Sequence, residues 1–143
     1  MQITVQKLNY SFINDEFLKT LESLRPTGLT VEEAREVFTQ EYLQLNHVYI
    51  ALVEGVVVGT ATLVLERKFI HKGGMVGHIE DVSVNEDYKQ EGVGTTLINR
   101  LIDIGKTMMC YKLILDCNKD IIPFYSQFGF YQTEEANLRL DLT

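Results

Sequence analysis

The sequence predicts an α/β domain with a mixed central sheet flanked by helices, and three observations predict it. The run HVYIALVEGVVVGTATLVLERKF (47–69) is two apolar segments split by Glu54-Gly55, the pattern of an antiparallel hairpin. The strand patterns HIEDVSV (78–84) and CYKLILD (110–116) flank an amphipathic helical segment, so they should lie parallel, joined by a right-handed crossover. Strand and helix periodicities alternate through all 143 residues without repeat or low-complexity interruption. A chain of this length buries about two thirds of its unfolded surface, and residues 1–143 are expected to form one domain.

Taken in order, QITVQKL (2–8) alternates well enough for an edge strand. Asn14 to Leu24 places Phe17, Leu18, Leu21 and Leu24 at helical spacing. The turn RPTGL (25–29) carries Arg25 and Thr27. Thr30 and Glu33 fit a capping box, each side chain reaching a free amide at the other, and predict a helix from about Val31 to Leu45 with Ala34, Val37, Phe38 and Tyr42 inward. The hairpin follows, then a glycine-rich connection, HKGGM (71–75), and the strand HIEDVSV. Leu97, Ile98, Leu101, Ile102 and Ile104 form the apolar face of the next helix, which should end between Gly105 and Met109. CYKLILD reads as a buried strand, IIPFYSQFGF (121–130) as a short helix opened by Pro123, and NLRLDL (137–142) as an alternating strand that closes the sheet.

Composition removes several function classes. A formal net charge of -7 argues against general affinity for nucleic acid or anionic membrane, whose phosphates need a basic surface. No apolar run approaches the roughly 20 residues that span a bilayer. MQITVQKLNY lacks the basic-then-apolar pattern of a signal peptide, so a cytoplasmic location is expected. Cys110 and Cys117 are an odd seven positions apart, on opposite faces of a strand, and are not expected to pair. Without histidines at metal spacing they give no zinc site either, and no metal is expected.

The stretch KQEGVG, Lys89 to Gly94, lies between a strand and the amphipathic helix. A helix N-terminus presents unpaired N–H groups and a positive dipole end, and glycine lets an anion approach them. The third glycine of a dinucleotide fingerprint is replaced by Leu97, and a Walker loop would need Gly-Lys-Ser/Thr. On their own, Gly92 and Gly94 read equally as a tight strand-to-helix turn.

With its neighbours, KQEGVG followed by a parallel strand and PFYSQFGF resembles the acyl-CoA site of the GNAT superfamily of N-acetyltransferases, whose signature is Gln/Arg-x-x-Gly-x-Gly/Ala. The segments ATLVLERKFIH, GHIEDVSVN, CYKLILDC and FYSQFGF are similar to the branch of that superfamily that acetylates glucosamine 6-phosphate, from about His47 to Phe130. The resemblance implies the GNAT (acyl-CoA N-acyltransferase) fold, acetyl-CoA as cosubstrate, a phosphosugar amine as acceptor, direct attack within a ternary complex, and a homodimer with shared sites.

Residue by residue, the resemblance implies that Lys89, Gln90, Glu91, Gly92, Val93, Gly94 and Thr95 hold the pyrophosphate, with Lys89 where the signature has Gln or Arg. It implies that the backbone of Val82, Ser83 and Val84 pairs with the pantetheine arm, an amide near Val82 facing the thioester oxygen. Tyr125 matches the general acid beside the sulfur. Asp116 matches a residue whose carbonyl receives the amine proton. Glu80 and Asp81 would bind sugar hydroxyls or order the tyrosine; because adjacent strand residues point to opposite faces, both reach one site only through a bulge. Lys112 and Arg139 match positions that meet the sugar or its phosphate, partly from the partner subunit. Lys68, Phe69, Ile70 and His71 match a loop over the sugar. Two departures stand out. The family's phosphate-binding threonine falls at Arg25, with Thr27 two residues on, and its pantetheine-binding asparagine falls at Ile121, with Asn118 nearby. The alternatives are acetylation of another small amine or of a protein terminus, and a non-catalytic acyl-CoA-binding module.

Overall fold

A computed structural model describes residues 1–39 and 46–143. Its sheet has five strands in the order β1 (Thr4–Lys7), β2 (Asn46–Val53), β3 (Val56–Arg67), β4 (Met75–Val84), β5 (Cys110–Ile114). The first four are antiparallel to their neighbours, and β4 and β5 are parallel. The β2–β3 hairpin turns at Glu54 and Gly55, both with positive φ (51° and 76°), as a two-residue turn of matching twist requires.

Helices cover both faces. On one face lie α1 (Asp15–Glu22), capped by Asn14, and α2 (Val31–Val37), whose Thr30/Glu33 capping box is formed in both directions. Phe17, Ala34 and Phe38 bury there against Val48, Ile50, Leu52 and Val57. On the other face α3 (Val93–Thr107) packs Val93, Leu97, Ile98 and Leu101 onto Ala51, Ala61, Leu63 and Ile79. α3 is also the crossover that makes β4 and β5 parallel. A short helix, α4 (Ile122–Ser126), carries Tyr125 against the same core.

Several expectations need correction. NLRLDL forms no strand: residues beyond Phe130 run without regular structure, and Leu138, Leu140 and Leu142 are 92%, 82% and 87% exposed. Alternation prepares a segment for pairing but does not supply a neighbour, and no strand among the described residues pairs with the tail. CYKLILD is not a buried strand. It is the sheet edge, with Tyr111 and Ile114 exposed, and it ends at Ile114, leaving Asp116 beyond the ladder. Leu24 and Val37 are exposed rather than inward. The expected C-terminal half of the second helix, with Tyr42 and Leu45, lies outside the described residues. The HKGGM connection is more than a loose link: His71, Lys72 and Gly73 all adopt positive φ in one left-handed turn.

Candidate active site

The site is made by a parting of strands. β4 and β5 are paired from Met75/Cys110 to His78/Ile114; there β5 stops, while β4 continues to Val84, bonded only to β3. Residues 79–84 thus present one backbone edge without a strand partner among the described residues, and such an edge accepts an extended ligand as an added strand. α3 starts beside the far end of this edge. Gly92 precedes its first residue with φ 88°, a conformation that strains any L-residue, and the first-turn amides of α3 have no helical acceptor. Gly94 is glycine for a different reason: a Cβ there would lie 3.1 Å from Phe124 Cζ.

The expected bulge is present. Thr60 pairs with Ser83 and Thr62 with Glu80, so β4 spends one more residue than β3, and Asp81 takes φ 50°. The extra residue breaks strict alternation, so Glu80 and Asp81 no longer face opposite sides of a regular strand. Burial first, then the charges of Asp81 and Asp116, raise the Glu80 carboxyl above the usual carboxylate range, while His78 opposes them. Three carboxylates therefore share the mouth of the notch. Asp116 accepts a hydrogen bond from Asn137 Nδ2 at 2.7 Å, which brings the start of the tail against the notch.

Tyr125 packs in the core cluster that includes Ile79 of β4, with Val82 and Val84 at its margin. The residue is 7% exposed, and among the described residues no group hydrogen-bonds its hydroxyl. Burial first, and then the neighbouring Cys117 thiol, push the phenol up to about 12. It keeps its proton at neutral pH and can donate it. Cys110 and Cys117 are free, half-buried thiols whose burial holds them protonated.

The other sequence-predicted residues divide by position. Val82 and Val84 lie on the open edge, whereas Ser83 pairs with Thr60 of β3 and its buried side chain donates to the Thr20 carbonyl at 2.6 Å. Lys89 is paired with Glu86 at 2.8 Å; Gln90, Glu91 and Thr95 flank the glycine turn, with Gln90 at φ 66°. Asn118 is exposed and precedes a single helical turn that it does not cap through its side chain. Lys112 lies on β5 opposite Val76, its ammonium 5.8 Å from the Tyr111 ring centre. Phe69 and Ile70 are exposed, Lys68 bonds Glu66 at 3.2 Å, and His71 stacks on Tyr111 at 4.0 Å. Arg25 and Thr27 are engaged locally, with the Leu24 carbonyl and Glu22 respectively. Arg139 pairs with Asp141 at 2.7 Å on the exposed tail. No contact within this chain draws Arg25, Thr27 or Arg139 to the notch among the described residues.

Sequence reasoning missed His78 and Phe124. His78 bonds Glu66 at 2.9 Å and is the group that opposes the upward push on the Glu80 carboxyl; its signal was its place two residues before Glu80, on the same strand face. Phe124 stands in PFYSQFGF beside Tyr125, and its contact with Gly94 has no signal in the sequence.

Comparison with known proteins fixes the family. The Acetyltransferase (GNAT) family pattern matches residues 14–130. The chain belongs to the GNAT family of acetyltransferases. This GNAT chain is 34% identical over 134 residues to the glucosamine 6-phosphate N-acetyltransferase of Candida albicans, covering 89% of the chain and 88% of that protein. Among solved structures it is similar to an acetyltransferase of Trypanosoma brucei (TM-score 0.87, 32% identity, 99% and 100% of the two chains). It is equally similar to the glucosamine-6-phosphate N-acetyltransferase of Arabidopsis thaliana (TM-score 0.87, 29% identity, 98% and 99%). The GNAT fold expected from KQEGVG and PFYSQFGF is therefore the fold of this enzyme.

Proposed function

We propose that this acetyltransferase moves the acetyl group of acetyl-CoA to the amine of glucosamine 6-phosphate, giving N-acetylglucosamine 6-phosphate by direct attack in a ternary complex. The observation that carries the chemistry is the parting of β4 and β5, with Glu80, Asp81 and Asp116 gathered there and the proton-retaining Tyr125 packed in the cluster that contains Ile79 of β4. The choice of amine is supported by the names of relatives in Candida albicans and Arabidopsis thaliana that match almost the whole chain.

In this reading the α3 first-turn amides from Gly92 to Thr95 hold the pyrophosphate, with Lys89, Gln90 and Glu91 at its rim. The open edge of Val82, Ser83 and Val84 pairs with the pantetheine arm, with Asn118 beside it, and an amide near Val82 polarises the thioester carbonyl. The amine attacks that carbon, the Asp116 carbonyl receives the amine proton, and Tyr125 protonates the leaving thiolate. Glu80 and Asp81 bind sugar hydroxyls. Lys112, Arg139 and the Arg25/Thr27 turn supply phosphate contacts, and Lys68 to His71 cover the sugar.

The site is completed by a second copy. A tail with three exposed leucines, leaving an unfilled sheet edge and carrying Arg139 away from its own notch, supports a homodimer in which each tail serves the other protomer. One cytoplasmic domain of this kind fits the pathway to UDP-N-acetylglucosamine. The test is thiol release from acetyl-CoA with glucosamine 6-phosphate, glucosamine and unrelated amines. The phosphosugar should win by kcat/KM; turnover of other amines with none of the phosphosugar would overturn the assignment.

A further inference from the structure

The two glycines of the helix turn are glycines for separate reasons. At Gly92 nothing lies within 4 Å of an added Cβ, so only the positive φ demands it. At Gly94 a Cβ would sit 3.1 Å from Phe124 Cζ, closer than ordinary contact, with Phe124 Cε1 at 3.6 Å and Val84 Cγ2 at 3.8 Å in ordinary contact. The Phe124 ring has little freedom to retreat. It meets Tyr125 edge-on at 4.9 Å and Phe128 edge-on at 5.3 Å, while Tyr125 leans in turn on Phe130 at 6.0 Å. Packed aromatic rings at such spacings shift together.

We infer that Phe124 is a positioning residue that couples the glycine turn to Tyr125: the close fit of its ring over Gly94 sets the direction of the Tyr125 hydroxyl. The inference rests on Tyr125 as the acid of the proposed reaction. A methyl at position 94 leaves every amide of the turn in place, yet it pushes Phe124, and through it the phenol, by a few tenths of an ångström. Since a misplacement of about 1 Å costs on the order of 100-fold in rate, a shift of this size should cost about five- to tenfold.

The test is a double-mutant cycle of Gly94→Ala and Phe124→Leu, with acetyl-CoA affinity measured by calorimetry. Each single variant should lower kcat about five- to tenfold while changing acetyl-CoA affinity by less than about twofold. The double variant should be no slower than Phe124→Leu alone, because leucine leaves room for the methyl. Losses that multiply would overturn the coupling, as would a Gly94→Ala enzyme that loses acetyl-CoA affinity at unchanged kcat. A readout independent of turnover is 3-fluorotyrosine placed at position 125 and followed by fluorine NMR in the ligand-free protein. Its resonance should move in Gly94→Ala and in Phe124→Leu, and an unmoved resonance in either would overturn the proposal. If Gly94→Ala alone does not fold, the double variant is compared with Phe124→Leu: their resonances should coincide, and a further shift would overturn the coupling. A resonance that moves in a protein that acetylates no amine would uphold the coupling and remove the acyl-transfer reading, so the two fail separately.

Discussion

The two halves of the sheet differ in how much of their bonding the single chain completes. From Thr4 to Arg67, β1 pairs with β2 along its length, β2 with β3, and the residues between them, Ile50, Ala51, Ala61 and Leu63, have no exposed surface. From His78 onward the pattern reverses. β4 keeps one partner, β5 stops after five residues, and the tail leaves three leucines in solvent. The contrast separates two kinds of structure: the closed half pairs and buries its own strands, and the open half leaves backbone edges and apolar side chains uncovered.

Substitutions should respect that division. The largest expected effect is in the open half, where Tyr125→Phe removes the acid and should lower kcat about 100- to 10,000-fold with acetyl-CoA affinity little changed. A kcat within twofold of the parent would remove Tyr125 from its role. Next comes exchange of tails: Arg139→Ala and Tyr125→Phe proteins should each be nearly inactive. Verified mixed dimers should recover about half of the activity, because one site receives both an intact tyrosine and the partner's arginine. No recovery would place Arg139 in its own chain's site.

In the closed half, Leu63→Ala should cost about 2–5 kcal/mol of stability in a denaturant titration while leaving kcat per folded molecule unchanged. Thr30→Ala, which removes the hydroxyl arm of the capping box and leaves Glu33 on the amide of residue 30, should cost about 1 kcal/mol by the same measure. The smallest effect has the opposite sign. The Glu80 carboxyl is raised in the folded protein, so above the ordinary carboxylate range the native state holds that proton more tightly than the unfolded chain does, and stability falls as pH rises through the window. Glu80→Gln should therefore raise Tm slightly near neutral pH, with no gain at low pH where both states are protonated, while weakening sugar binding. A Tm gain equal at all pH values would sever Glu80 from the Asp81–Asp116 repulsion.

The same division governs what could be read from residues alone. The hairpin was legible because Glu54-Gly55 and its flanking alternation are local signals, and the capping box because Thr30 and Glu33 lie within one turn. The bulge at Asp81 was legible as a condition: two adjacent acids reach one site only if the strand gains a residue. The tail was not legible, because alternation in NLRLDL says that a strand can form and not which chain supplies its neighbour. CYKLILD was misread as buried for the same reason, its apolar residues facing an edge that one chain leaves uncovered. The roles of Gly94 and Phe124 depend on two helices meeting, 30 residues apart in sequence, and no spacing rule reports that contact.

The proposed chemistry turns on the notch, and a crystal structure of the protein with CoA and glucosamine 6-phosphate tests it most directly. The pantetheine arm should lie along residues 79–84, its sulfur within hydrogen-bonding reach of the Tyr125 hydroxyl, with the sugar against Glu80, Asp81 and Asp116. A pantetheine arm bound elsewhere, with the 79–84 edge empty or covered by protein, would contradict it.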